Sequence, residues 1–414
     1  MTLPATVAVD IGGTKIRAGS VIGGVLRHVR GVPTPAAEGA AAVLDTVSEV
    51  VAAVIAEAQA SRAADSAAGS GLADAGSVGG DSARVARSSV DLDWRTGVAS
   101  AGVINPATGV VVSATESLAG WAGTELTAEL ESRTGQPVRA VNDVHAHALG
   151  EAAAGASRGM SSSLLVAAGT GIGGGAIISG SLLTGRNSAA GHIGHVPSSA
   201  AAGLLCPCGG TGHLEAIASG PAILATYQRL LRGDDSPASS ASAAVAASGS
   251  SSPASASSFR ASTSLSSASG TSSPASATLP PASSHASAVR PSPSVPASTR
   301  ELAAAASAGD TLAVRAFDTG ARALGAALGG IVNVLSPEVV VIGGGLADMD
   351  DTWWAPLCEA MTVELIPATA EVELRKAELG QDAALIGAAG LWGAGPMPRH
   401  TERVPRSDEK EETH

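Results

Sequence analysis

Val7-Ala8-Val9-Asp10-Ile11-Gly12-Gly13-Thr14-Lys15 is an apolar run that ends in an aspartate and a pair of glycines. A short aliphatic run bounded by glycine reads as a strand closing into a tight turn. Residues 15–21 continue as a second strand. The pattern returns at Leu164-Leu165-Val166-Ala167-Ala168-Gly169-Thr170-Gly171-Ile172-Gly173-Gly174-Gly175. Two strand–glycine turn–strand units, one near the start of each half, predict a duplicated domain with a cleft between the halves.

The sequence around these units alternates strand-length apolar runs with helical patterns. Further strands are expected over 96–103, 138–142 and 339–342, and in a pair over 163–168 and 174–179. Helices are expected over 36–60, 125–134, 144–154, 221–232, 312–335 and 383–392. Such alternation predicts an α/β fold. Residues 60–89, rich in Ala, Gly, Ser and Asp, and 236–299, almost entirely Ser, Ala and Pro, have no apolar periodicity. Both are expected to be disordered insertions, as is the charged tail 399–414. The expected organisation is an N-terminal α/β domain over 1–143 and a C-terminal α/β domain over 144–385. A helix over 386–398 is expected to pack back on the first domain.

A chain of 414 residues is long enough for two domains with cores of their own. Its net charge of −12 argues against a duplex-DNA or anionic-membrane binder, which needs a basic face. With 2% aromatic residues it also lacks a stacking platform for single strands. Three cysteines are too few for a disulfide framework, and two of them form Cys206-Pro207-Cys208. There is no signal-peptide pattern at the start and no apolar run of membrane-spanning length. A cytoplasmic protein with neither nucleic-acid nor membrane partners is the expectation.

Gly12 and Gly13 let backbone N–H groups converge on an anion, and Thr14 adds a hydroxyl beside Lys15. Asp10, at the strand end, suits water-mediated contact with Mg²⁺ carried by a nucleotide. An ordinary hairpin would explain this turn taken alone. The second turn, with Gly169, Thr170 and Gly171, is richer in glycine than a hairpin requires. A third cluster, Gly343-Gly344-Gly345, follows Val339-Val340-Val341-Ile342. Three glycine turns after three strands predict a nucleotide lying along a cleft. Neither a dinucleotide-binding Gly-x-Gly-x-x-Gly opening a helix nor a Gly-Lys-Ser/Thr loop is present.

Asn142-Asp143 closes another apolar strand and opens a helix. Asp143 is read either as a helix N-cap or, beside phosphate-binding turns, as a general base. His145 and His147 on that helix read as surface or packing residues. His195, Cys206, Cys208 and His213 offer four nitrogen and sulfur ligands, enough for a closed structural zinc site. The alternative is a reduced thiol pair in a loop. His192 and Glu215 flank these ligands and are expected to hydrogen-bond sugar hydroxyls. Cys358, beside Trp353 and Trp354, reads as a core residue.

Taken in order, these motifs resemble the ROK family of sugar kinases. They are Asp10-Ile11-Gly12-Gly13-Thr14-Lys15, Asn142-Asp143, the turn at Gly169-Thr170-Gly171 and Gly191-His192-Ile193-Gly194-His195. Cys206-Pro207-Cys208, Glu215 with Ile217-Ala218-Ser219-Gly220, and Ile342-Gly343-Gly344-Gly345 complete the set. The resemblance covers about residues 6–392 apart from the two insertions. It implies an actin/hexokinase-like (ribonuclease H-like) duplicated two-domain fold with an interdomain cleft. It also implies ATP with Mg²⁺, phosphorylation of a hexose 6-hydroxyl, and assembly as a homodimer or homotetramer. Asp143 matches the family's base, and Asn142, His195 and Glu215 match sugar-contacting positions. The family's repressors carry a winged helix-turn-helix before the first glycine motif. Here that motif opens at Asp10, so a kinase is expected instead.

Two departures bear on specificity. Many glucokinases of the family carry Glu where this chain has His192. Ala190-Gly191-His192-Ile193-Gly194-His195 is similar instead to bacterial N-acetylmannosamine kinases, which makes that sugar the leading expectation. A glucokinase and a non-catalytic sugar sensor are the alternatives. His213 stands where the family usually has a third cysteine. The loop Thr115-Glu116-Ser117-Leu118-Ala119-Gly120-Trp121 also departs from the family's usual Asn or Asp and Pro, with Glu116 a candidate substrate contact.

Overall fold

A computed structural model of the chain describes residues 3–71, 92–115, 117–234 and 295–393. Its first sheet contains β1 (Leu3–Ile11), β2 (Lys15–Ile22), β3 (Val25–Pro33), β4 (Leu92–Ser100) and β7 (Val138–Asn142), in the order β3-β2-β1-β4-β7. The small hairpin of β5 (Val103–Ile104) and β6 (Val111–Ser113) stands beside it. The second sheet contains β8 (Ser163–Ala168), β9 (Ile172–Ile178), β10 (Ser181–Leu182), β11 (Val339–Gly343) and β12 (Glu373–Lys376), in the order β10-β9-β8-β11-β12.

The two sheets repeat one plan. β1 runs antiparallel to β2 and parallel to β4, and β8 runs antiparallel to β9 and parallel to β11. The outer strands follow suit, with β3 and β10 antiparallel and β7 and β12 parallel to their neighbours. The echo between Asp10 and Gly169 in the sequence is therefore a repeated β-sheet topology.

Helices α1 (Ala40–Gly71) and α2 (Leu126–Thr134) cover one face of the first sheet. Val7, Val9 and Ile11 of β1 pack there against Val43, Val47 and Val54 of α1 and Leu130 of α2. The second sheet buries Leu164 and Val166 against α4 (Glu215–Ala218), α5 (Gly220–Leu231), α6 (Thr299–Ser307), α7 (Thr311–Leu335) and α8 (Asp351–Glu364). A third core joins the two sheets. It packs Ala8, Ala99 and Val141 of the first sheet with Leu165 and Val341 of the second, around α3 (Asp143–Ala154) and α9 (Ala383–Gly390). Small side chains let these layers close up. A Cβ on Gly387 would overlap the Ala146 carbonyl, and one on Gly97 the Ala388 carbonyl. Just beyond α9, Trp392 donates from Nε1 to the Thr96 carbonyl at 3.0 Å, and Arg139 stacks on its ring at 4.3 Å.

Several expectations need correction. The first helix runs eleven residues past its expected end at 60, to Gly71, with Ala63, Ala64, Ala67 and Ala68 the helix formers in the added stretch. Residues 72–89 lie outside the described part, as do 236–294 and the tail 399–414. The second insertion ends earlier than expected. Ser298 caps α6 by accepting from the Glu301 N–H at 3.2 Å, so Thr299 is helical. The last helix ends at Gly390. Cys358 is exposed, while its neighbour Trp353 fills the core. Among the described residues no helix is long and apolar enough to cross a membrane.

Candidate active site

The end of β7 supplies the first group. Asn142, not Asp143, caps α3: its Oδ1 accepts from the N–H groups of Val144 at 3.0 Å and His145 at 3.2 Å. Its Nδ2 donates to the Gly102 carbonyl at 2.9 Å and to Asp143 Oδ1 at 2.7 Å. Asn142 thus lines the cavity with both ends of its amide engaged by the protein, and its visible work is to hold Asp143. The Asp143 carboxylate, released from capping, also accepts the Val144 N–H at 2.9 Å. Burial raises its pKa, opposed by the Val144 and Asn142 hydrogen bonds and by the nearby His147.

Asp143 faces a cavity of about 380 Å³ that is also lined by Thr115, Thr170, His192, His195 and Glu215. Glu215 opens α4, and its Oε2 accepts the Ile172 N–H at 2.8 Å, which ties the loop before α4 to β9. The His192 Nδ1–H donates to the Ala189 carbonyl at 3.0 Å, and the ring stacks near His195 with centroids 6.3 Å apart. Glu116 lies outside the described residues.

The four expected metal ligands converge. Ligand atoms of His195, Cys206, Cys208 and His213 all lie within 4.8 Å of one another. His195 Nδ1 is 3.7 Å from Cys206 Sγ, and His213 Nδ1 is 3.1 Å from Cys208 Sγ. Tetrahedral zinc with nitrogen and sulfur ligands needs edges of about 3.3–3.8 Å, so the set fits after a small contraction. The knuckle is folded by its backbone: the Cys206 N–H donates to Gly210 at 2.8 Å, and Gly209 donates back to Cys206 at 2.9 Å. Burial pushes the Cys206 thiol up to about 11, with the neighbouring Cys208 and Glu215 adding to the effect. A divalent cation is the charge that reverses such a shift. His195 belongs to both groups. Its Nδ1 points at the thiols, which leaves Nε2 for the cavity.

The glycine turns divide. Thr170 and Gly169 form the wall shared by the first cavity and a second one of about 510 Å³. The second cavity is lined by Pro221 on α5, Thr299 and Arg300 on α6, and Gly345, Asp348 and Met349 after β11. Gly344 lines the first cavity and Gly345 the second, whereas Gly343 is buried at the end of β11 and lines neither. Gly344 has φ of +84° and sits on the Ala168 carbonyl, a place with no room for a side chain.

Asp10, Gly12, Gly13, Thr14 and Lys15 line neither cavity. The Gly12 N–H is spent on the Lys15 carbonyl at 3.0 Å, the Gly12 carbonyl accepts from Thr34 Oγ1 at 2.7 Å, and Lys15 lies across Gly31. Asp10 is nevertheless electrostatically coupled to the site. Burial raises its pKa to about 6, His147 and Arg17 oppose this, and Asp143 reinforces it.

His145 and His147, read from sequence as surface or packing residues, follow Asp143 on α3, with His145 buried. The structure adds Arg300 and Asp348, which edge the second cavity and which the sequence reading passed over. The only sequence signal for the histidines is their spacing after Asp143.

The sequence profile of the ROK family matches residues 83–394. The chain belongs to the ROK family. It is 30% identical over 297 residues to a glucokinase of Halalkalibacterium halodurans, which covers 72% of this chain and 74% of the relative. It is 34% identical over 232 residues to an N-acetylmannosamine kinase of Escherichia coli, covering 56% and 66%. A ROK family glucokinase from Streptomyces griseus, solved with glucose and AMPPNP, superposes with a TM-score of 0.61 at 26% identity over 94% of this chain and 98% of that one. A ROK hexokinase from Thermus thermophilus gives 0.63 at 27% identity over 93% and 96%. The fold is the actin/hexokinase-like one, and the chain stands among the ROK sugar kinases, a class that uses ATP and Mg²⁺.

Proposed function

We propose that this ROK kinase transfers the γ-phosphoryl group of ATP to the 6-hydroxyl of a hexose, with N-acetylmannosamine as the preferred sugar and Asp143 as general base. The observation that carries this reading is the wall shared by the two cavities. A carboxylate with a raised pKa faces one side of it, and a larger cavity edged by α5 and α6 opens on the other. A sugar in the first cavity and a nucleotide in the second would meet at Thr170.

The chemistry asked of the protein is small. Phosphoryl transfer depends on alignment and charge stabilisation, with one proton to remove. Asn142 donates to Asp143 Oδ1, so Oδ2 takes the proton of the sugar hydroxyl as its oxygen attacks phosphorus and ADP departs. ATP-bound Mg²⁺ supplies neutralisation of phosphate charge. Asp10 would hold its water shell and the Thr170 turn the phosphates. Glu215 Oε1, His195 Nε2 and His192 would orient the sugar. His195, Cys206, Cys208 and His213 would hold a structural zinc that fixes this loop and takes no part in the chemistry.

The preference for N-acetylmannosamine rests on His192. An imidazole in place of a carboxylate removes a negative charge beside the sugar C1–C2 region, where an N-acetyl group replaces a hydroxyl. Glucose is the second reading, favoured by glucokinase relatives that span more of the chain than the N-acetylmannosamine kinases do. A coupled ADP-release assay across N-acetylmannosamine, N-acetylglucosamine, glucose, mannose and fructose separates them. Preference for N-acetylmannosamine in kcat/KM supports the first reading, and preference for glucose replaces it. ADP release with none of the sugars would leave only a sugar sensor.

A further inference from the structure

Among the described residues, His145 is the one buried imidazole beside Asp143 with no part in the chemistry above. It is 2% exposed, and its Nε2 lies 2.8 Å from the Ala190 carbonyl. A carbonyl only accepts, so Nε2 carries the hydrogen. Burial lowers the His145 pKa and His192 adds to this, so the ring is neutral at pH 7 despite the opposing pull of that carbonyl. Ala190 lies two residues before His192, at the head of the segment that faces the sugar.

At its other end His145 meets the base. Its backbone N–H donates to Asn142 Oδ1 at 3.2 Å, and the same Asn142 amide donates to Asp143 Oδ1 at 2.7 Å. His145 thus bridges the two ends covalently, its ring holding the Ala190 carbonyl and its backbone N–H joining the Asn142 amide that holds Asp143. The loop is pressed from the opposite side as well. Gly191 has φ of +89° and abuts the Gly174 carbonyl of β9, where a Cβ would collide. The loop's remaining hydrogen bonds are local, the Ala190 N–H donating to Thr184 at 3.1 Å and the His192 ring to Ala189, and just beyond them Ile193 and Gly194 pack on the β9 side, away from α3. His145 is therefore the side chain that joins this loop to the helix bearing Asp143.

We propose that His145 is a positioning residue for sugar selectivity: it fixes His192 relative to Asp143, so that the sugar's C1–C2 region is read while its 6-hydroxyl is held at the base. The proposal rests on the hexose-kinase reading of this site. Discrimination between an N-acetyl group and a hydroxyl needs His192 at a fixed distance from the sugar ring. A shift of about 1 Å in a positioning element is enough to cost orders of magnitude in turnover. Losing the strut should relax the loop and blur this discrimination, while the second cavity is untouched.

The test compares His145→Ala, His145→Gln and Gly191→Ala in the full chain. Steady-state kinetics are measured with N-acetylmannosamine, glucose and ATP, and sugar affinity is measured by calorimetry without nucleotide. His145→Ala should raise the sugar KM about tenfold, the size expected for one buried hydrogen bond. It should also shrink the kcat/KM ratio between the two sugars at least several-fold and leave KM for ATP nearly unchanged. Gln can still donate to the Ala190 carbonyl and should restore the ratio. Gly191→Ala, which pushes the loop from the other side, should reproduce the loss. An unchanged ratio, an equal effect on KM for ATP, or failure of Gln to restore selectivity overturns the proposal. If His145→Ala does not fold, the other two variants decide, since the Gln variant must keep selectivity and the Gly191 variant must lose it. If the wild type turns over no sugar, the kinase reading is what fails. Calorimetry then decides the strut, because equal sugar affinities across the variants would overturn it.

Discussion

Asp143 sits in the first turn of α3 with its negative charge opposed by burial and supported by the Val144 N–H and the Asn142 amide. Burial is the largest of these effects, so its acid limb should lie above the ordinary carboxylate range. The carboxylate is the active form, so kcat/KM for the sugar should fall as pH drops through that raised pKa, which a pH–rate profile reads directly. Asp143→Asn keeps the shape but not the base, and kcat should drop by about 10²–10⁴-fold. Calorimetry should find its sugar affinity within a few-fold of wild type, and substantial remaining turnover would remove Asp143 from the role. Asp10 carries a different consequence. Its pKa rises from 3.8 to about 6 in the folded chain, so the folded state holds a proton that the unfolded state has already released. Stability should therefore fall as pH rises from about 4 to about 6, by on the order of 3 kcal/mol from this group. Asp10→Asn should raise the melting temperature at pH 8, and the gain should vanish at pH 4.

At the scale of elements, the loop between β10 and α5 was the most legible part of the site. Cys-x-Cys with flanking histidines fixes its four ligands by spacing, and the folded loop brings all four within 4.8 Å. Purified protein should contain close to one zinc per chain by elemental analysis, and Cys206→Ser should lose it. Because Glu215 and His195 belong to the same loop, the metal-free variant should show a raised sugar KM, and unchanged KM without metal would separate the loop from sugar binding. Helices and strands with strong apolar patterns were equally readable: β7 and β8 fall at their expected bounds, and α7 begins one residue early. β3 and β12 were not, because Val25–Pro33 and Glu373–Lys376 are sheet-edge strands whose half-exposed faces carry Arg, Lys and Glu. The Asn142 cap was obscured for another reason. Both Asn142 and Asp143 suit a helix start, and only the register of α3 decides between them. The role of His145 lay beyond sequence because its partner is a backbone carbonyl 45 positions away.

At the scale of the molecule, the duplicated sheets pose a question that the site alone does not answer. Thr170, Glu215 and the cysteine loop belong to the second sheet's half, and Thr115, Asn142 and Asp143 reach the first cavity from the first sheet's half, while the turn after β1 lines neither cavity. We propose a division at 143/144 into two domains, with α3 and α9 as the shared layer on which they rock. α9 packs on β1 and β4 of the first sheet and against α3, which in turn packs on β8 and β9 of the second. Trp392 and Arg139 fasten the chain after α9 to the first sheet, and Arg17 of β2 pairs with Asp382 at 2.7 Å just before α9. α9 should therefore move with the first domain. For Asp10, Gly12 and Thr14 to reach nucleotide phosphates on the far side of the Thr170 turn, the first domain must close over the second. Closure of this kind excludes water and completes a site only when both ligands are present. Small-angle scattering should then show a fall in radius of gyration with sugar and a non-hydrolysable ATP analogue together, and a smaller change with either alone. Trp392→Ala, which loosens α9 from the first sheet, should weaken that compaction and lower kcat more than it raises either KM. No change in radius with both ligands bound would mean that the first glycine turn never joins the site. The phosphates would then be held by the Thr170 turn and the α6 side of the second cavity alone.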